Sequence, residues 1–164
     1  THTDGSSFYF AGHEVLVMDV SGHTIGHIAY YVPEADVVFT ADSLMALGCG
    51  RLFEGSAEQM WASLSNLAAL PPQTKVCSGH EYTAANAKFA LTVDPDNKDL
   101  ISRNEAISAA RAAGKPTVPS TLALELATNP FLRAGDPDIR AALDMKTASD
   151  AEVFAEIRAR KDAF

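Results

Sequence analysis

Apolar positions change their rhythm partway along the chain. In the first half they fall in short runs rich in β-branched and aromatic residues, and in the second they recur every three or four positions. The early pattern predicts strands at Ser7–Phe10 and Glu14–Val20, joined by a hairpin at Ala11-Gly12-His13. A second pair, Ile28–Val32 and Val37–Thr40, flanks a turn at Pro33-Glu34-Ala35-Asp36. Ser56-Ala57-Glu58-Gln59 has capping-box spacing and opens a helix carrying Met60, Trp61, Leu64, Leu67 and Ala68 on one face. Pro71-Pro72 ends that helix, and Lys75–Cys77 reads as one more strand.

After Tyr82 the rhythm is helical. It predicts helices near 83–93, 98–113 (closed by Gly114), 120–128, 136–144 and 149–162, the last opened by a capping box at Ser149-Asp150-Ala151-Glu152. Strands before and helices after a boundary near His80–Tyr82 imply two units, residues 1–81 and 82–164. The fold class expected is α/β, with a small all-helical C-terminal part.

Composition narrows the functions. Hydrophobic residues make up 47% and charged residues 21%, enough apolar mass for a real core. A net charge of −8 argues against a phosphate-neutralising face, so no nucleic-acid partner is expected. Nothing approaches the ~20 apolar residues of a membrane span, and the first residues do not read as a signal peptide. Cys49 and Cys77 read as free, structural thiols of a reducing compartment. A cytoplasmic protein is expected. All five histidines fall at or before His80, whereas eleven of the thirteen basic residues follow it, so imidazole chemistry and cationic side chains occupy different stretches.

Three predicted strands each deliver a His or Asp at their C-terminal ends. His23 lies in Ser21-Gly22-His23-Thr24-Ile25-Gly26-His27, Asp42 follows Val37–Thr40, and His80 follows Ser78-Gly79. Sites on α/β sheets gather at such ends, and this donor set suits a divalent ion such as zinc, manganese or iron. Two of the three also have a plainer reading: His23 as a surface loop histidine, Asp42 as a helix N-cap. No Gly-x-Ser-x-Gly elbow occurs, which disfavours a serine hydrolase. Arg158-Ala159-Arg160-Lys161 either complements the dipole of the last helix or faces a ligand.

Read together, these segments resemble glyoxalase II, the hydroxyacylglutathione hydrolases of the metallo-β-lactamase fold. The carriers are the His23 loop, Phe39-Thr40-Ala41-Asp42-Ser43-Leu44, Gly48-Cys49-Gly50-Arg51-Leu52-Phe53-Glu54-Gly55 and Ser78-Gly79-His80-Glu81-Tyr82-Thr83. Pro116-Thr117-Val118-Pro119-Ser120-Thr121-Leu122, Asn129-Pro130-Phe131-Leu132-Arg133 and Arg158 to Asp162 are similar to that family's helical part in particular. The resemblance implies the second half of an αββα sandwich followed by a helical substrate-binding part. It implies two divalent metal ions, zinc first, with His23 on one, His80 on the other and Asp42 bridging them. It further implies that Arg51, Phe53, Tyr82, Arg158 and Lys161 hold a glutathione thioester, S-D-lactoylglutathione, hydrolysed to D-lactate and glutathione.

The chain departs from the family at Ser21, where proline is usual, at Ala41, where glycine is usual, and at Phe53, where an aromatic hydroxyl often contacts glutathione. The family's Thr-His-x-His-x-Asp-His motif, source of four further ligands, is not matched; Thr1-His2-Thr3-Asp4 is only superficially like it. A truncated chain, with an uncovered sheet prone to self-association, is therefore expected, whereas the full-length protein would be a monomer. The alternatives are a persulfide dioxygenase-like or lactonase-like hydrolase of the same fold, and a non-catalytic fragment that binds a glutathione-like anion or a protein partner.

Overall fold

The computed structural model describes residues 3–164; Thr1 and His2 lie outside the described residues. A six-stranded sheet has the order β1-β2-β3-β4-β7-β8, with β1 Ser7–Phe10, β2 His13–Asp19, β3 Ile28–Val32, β4 Val37–Ala41, β7 Lys75–Ser78 and β8 Ser120–Thr121. A separate two-stranded ribbon joins β5 (Leu44–Met45) and β6 (Gly48–Cys49). The helices are α1 Ala57–Ala68, α2 Thr83–Val93, α3 Lys98–Ala112, α4 Leu122–Thr128, α5 Pro137–Ala142 and α6 Asp150–Ala163. Among the described residues no helix is long and apolar enough to cross a membrane.

Local chemistry accounts for most boundaries. Ala11 (φ 50°) and Gly12 (φ 88°) are both left-handed, so a two-residue turn sets His13 opposite Phe10. The second strand therefore starts one residue before the predicted Glu14 and ends at Asp19; the Val20 N–H instead donates to the His27 carbonyl (2.8 Å). Both capping boxes form, at Ser56/Gln59 and Ser149/Glu152. Asn97 caps α3, and Gly114 (φ 68°) follows its end.

The predicted 120–128 helix divides. Ser120 and Thr121 pair antiparallel with Val76 and Lys75, and the Thr121 side chain then caps α4 by accepting from the Leu124 N–H. The otherwise helical part thus adds a strand to the sheet.

One face of the sheet carries Ala29, Tyr31, Val38 and Val76 onto α1 and α6, where Leu64, Leu67, Phe154 and Ile157 complete the core. A second cluster gathers Ala87 and Ala90 of α2, Leu100 and Ile107 of α3, and Leu47 from the β5–β6 turn. That turn is gripped by the helical part. The Leu47 N–H donates to Glu125 Oε2 (2.9 Å), Asn86 Nδ2 donates to the Ala46 carbonyl (3.0 Å), and Asn129 Nδ2 reaches the Met45 and Gly48 carbonyls (3.2 Å each). Glu125, with no exposed surface, also accepts from Arg103, the Ser120 hydroxyl and Asn129. Every partner of this carboxylate is a donor.

The opposite sheet face is apolar and open. A hollow of about 200 Å³ is lined by Phe8, Phe10, Val15, Tyr30, Val32 and Phe39. Phe10 and Phe39 are exposed.

Two predictions arise here. Glu125→Gln keeps the side chain's shape but puts an amide donor where an acceptor met donors, and is expected to cost about 3 kcal/mol, read as a lower urea midpoint; an unchanged midpoint would discount the carboxylate. Phe39→Ser should lessen self-association of the 164-residue chain in sedimentation equilibrium, because it breaks the exposed apolar face.

Candidate metal centre

Strand direction explains why the predicted residues meet. β2 is antiparallel to β3 and β3 to β4, whereas β4 and β7 are parallel. The C-terminal ends of β2, β4 and β7 therefore share one end of the sheet, and the loops bearing His23, Asp42 and His80 leave from it. Asp42 caps no helix: it sits in the sharp turn from β4 to β5, after Ala41 at φ 45°. His80 Nε2 lies 3.4 Å from Asp42 Oδ1, and His23 Nε2 lies 3.8 Å from Asp42 Oδ2. The two imidazoles face different oxygens of one carboxylate.

The backbone is cut away to allow this. A side chain at Gly79 would stand 2.6 Å from Asp42 Oδ1, and one at Gly50 would stand 2.2 Å from the Asp42 carbonyl and 2.8 Å from His23 Nδ1. His23 Nδ1 is 2.8 Å from the Arg51 carbonyl, an acceptor only, so this nitrogen carries the proton. In the neutral ring Nε2 then presents a lone pair towards Asp42. Lone pair facing carboxylate is repulsive without a cation between them, and an outer partner fixing the ring in this way is typical of metal-ligating histidine. The donors fit divalent ions. No group of three or more His, Cys, Asp or Glu that could hold a metal occurs among the described residues. Each oxygen of Asp42 faces a single imidazole, so the three side chains do not converge on one point.

Glu81 locks the His80 loop. Its carboxylate accepts from the Thr117 N–H (2.8 Å), the Thr117 hydroxyl and the Thr83 hydroxyl (3.1 Å), with Arg111 at 3.7 Å. Burial works to raise its pKa, but these donors outweigh it and hold the group below its ordinary range. The ring of His80 is stacked on Tyr82, with centroids 4.7 Å apart.

A cavity of about 590 Å³ opens beside the histidines, lined among others by Arg51, Phe53, Tyr82, Arg158, Lys161 and Phe164. All five residues expected to hold substrate border it, each with its own geometry. Arg51 is largely exposed, its Nε 3.6 Å from Asp162 Oδ1. Phe53 is exposed and tilts over His23 at 5.0 Å, and Tyr82 is also exposed. Arg158 is buried: it donates to the Cys49 carbonyl (2.9 Å) and to Asp162 (2.9 Å) and lies over the Phe131 ring, while its Nε has no hydrogen-bond partner. Much of its guanidinium therefore ties α6 to the Cys49–Arg51 loop.

For Lys161, burial foremost and then Arg158 and Arg51 press the pKa down, with Asp162 acting the other way. Asp162 was not anticipated as a site residue, although its place four residues after Arg158 on a helix is the ion-pair spacing that could have flagged it. A larger hollow of about 790 Å³ is lined by Asp94, Asp96, Asp99 and Asp138, with Arg133. It contains no imidazole, and its carboxylates would repel an anionic ligand.

Both cysteines are free thiols. Burial, opposed by Arg158, pushes the Cys49 thiol from 9.0 up to about 11.

The fold and site define a metallo-β-lactamase-type α/β protein. Residues 1–80 match the family model described as metallo-beta-lactamase superfamily. Among solved structures, TTHA1623 in a di-iron-bound form is 28% identical, with a TM-score of 0.52 over 80% of this chain and 47% of that one. ETHE1 from Myxococcus xanthus shares the fold, with a TM-score of 0.56 at 22% identity over 99% of this chain and 59% of that one.

The second half narrows the class, because residues 81–164 match the model described as hydroxyacylglutathione hydrolase C-terminus. The chain belongs to the hydroxyacylglutathione hydrolase family. It is 78% identical to the hydroxyacylglutathione hydrolase of Roseobacter denitrificans over 98% of this chain and 63% of the relative, and 65% identical to that of Ruegeria pomeroyi over 99% and 64%. The chain thus spans a little under two thirds of the length of these relatives.

The Cys49 thiol yields a pH prediction. The folded thiol keeps its proton to about 11, whereas the unfolded one titrates near 9.0, so the unfolded state loses its proton first. This group's contribution is intact below pH 9.0 and is lost as pH rises towards 11. Urea midpoints measured across that window should fall less steeply in Cys49→Ala than in the wild-type chain.

Proposed function

We propose that the full-length protein hydrolyses the thioester of S-D-lactoylglutathione to D-lactate and glutathione. The observation that carries this reading is the juxtaposition at one sheet end: His23 and His80 on either side of the Asp42 carboxylate, beside a cavity bordered by Arg51, Arg158 and Lys161. The names of the relatives and the match over the helical half support it.

In this reading His23, His80 and Asp42 would hold two divalent ions between them, with the remaining ligands supplied from outside this chain's span. Zinc is the first expectation, and iron or manganese suits the same donors. When bound, two cations supply a nucleophile from water at neutral pH and neutralise charge developing on the thioester oxygen.

The chain's own residues do the rest. Arg51 and Lys161 attract the carboxylates of the glutathione moiety. Arg158, largely engaged with Cys49 and Asp162, holds the loop and presents the remainder of its charge to the cavity. Phe53 and Tyr82 border the cavity and offer ring faces to the bound ligand. Phe53 offers no hydroxyl, so the ligand is held there by apolar contact alone. The departing thiolate needs little proton assistance, in keeping with a cavity in which the cations Arg51, Arg158 and Lys161 face the lone carboxylate Asp162 and the metal-directed Asp42.

The test is Asp42→Ala in the full-length protein. Bound metal and thioesterase turnover should fall together, turnover by about 100-fold or more; turnover that persists, measured with S-D-lactoylglutathione, rejects the reading.

A further inference from the structure

Lys161 borders the cavity in an unfavourable setting. Arg158 and Arg51 stand nearby as like charges, and the one neighbouring carboxylate, Asp162, is engaged with both of them at 2.9 and 3.6 Å. Among the described residues no carboxylate forms an ion pair with Lys161. A four-carbon ammonium side chain so placed would ordinarily swing outward to water.

It is held by two rings instead. Lys161 Nζ lies 5.1 Å from the centroid of Phe89 and 5.2 Å from that of Phe164. The rings meet edge to face at 5.6 Å. Phe89 is buried and stacks on Phe131 at 6.0 Å, so its position is set by the core. Phe164 is 66% exposed and borders the cavity. Core packing alone does not account for a large apolar side chain left this open beside a cation.

We propose that Phe164, with Phe89, clamps the Lys161 ammonium at the cavity wall and so sets the affinity for the anionic end of the ligand. The physical advantage over an ion pair lies in charge. A carboxylate partner would neutralise the ammonium, whereas a ring face attracts it through the quadrupole and leaves its full charge for an incoming anion. Phe164 is a positioning residue, acting through Lys161. The identity of that anion as a glutathione carboxylate rests on the function proposed above; the clamp itself does not.

The experiment uses the 164-residue chain with its lysine side chains labelled for NMR. The Lys161 titration midpoint is followed directly, and reduced glutathione is titrated in parallel. Phe164→Leu keeps the apolar contact with Phe89 but removes the ring face, and Phe164→Tyr restores a ring. Because residue 164 is exposed, the variants should fold, which amide spectra check. The clamp predicts a lower Lys161 midpoint in Phe164→Leu, since a group that favoured the ammonium has gone, and glutathione binding weakened about two- to fivefold. Phe164→Tyr should recover both. A Lys161 midpoint that is the same in wild type and Phe164→Leu overturns the clamp. If the midpoint shifts but the wild-type chain does not take up glutathione, the clamp stands and the proposed ligand is what fails.

Discussion

A single buried carboxylate organises the join between strands and helices. Glu125 has no contact with solvent, and its two oxygens take hydrogen from the Leu47 backbone, the Asn129 amide, the Ser120 hydroxyl and the Arg103 guanidinium. Removing charge from water is costly, and the cost is offset here only because every acceptor position is filled. The result is a fixed point at the turn between β5 and β6. On one side of that turn lies Asp42; on the other lies the Cys49–Arg51 loop, which Arg158 holds from the far end of the helical part. The carboxylate between the two histidines and the cationic cavity are therefore set from one anchor, and the helices contribute to the site chiefly by fixing where its loops can be.

The histidines owe their meeting to strand polarity. Two reversals of direction from β2 to β4, then a parallel step to β7, bring three loops to one end of the sheet. What these loops build is a carboxylate set between two imidazoles. Asp42 offers one oxygen to each imidazole, the Arg51 carbonyl fixes the tautomer of His23, and the Glu81 hydrogen bonds fix the backbone beside His80.

Much of this could be read from residue order, and the reasons differ between elements. Helices with a strong local signal were placed within a residue or two: α1 and α6 by their capping boxes, α3 by Gly114 at its end. The same holds for the strand ends bearing His23, Asp42 and His80, because a polar residue just after an apolar run is a local pattern. The elements that escaped are those made by distant partners. β5 and β6 are two residues each, and β8 is a two-residue strand defined by its pairing with β7. Asn86 and Glu125 likewise gain their roles from contacts across tens of residues. Arg158 illustrates a mixed case: its cationic neighbourhood was legible, while its burial against Phe131 and the Cys49 carbonyl was not.

Ser120 and Thr121 end a sheet and begin a helix within two residues. The backbone edge of β7 is thus sealed by a piece of the very segment that follows it. A protease nick or an expression boundary placed between Tyr82 and Ser120 would, if the pieces parted, strip that seal and bare a strand able to recruit foreign chains. The strand-rich and helical stretches are consequently bound to survive or aggregate as one unit, however separable they look along the chain.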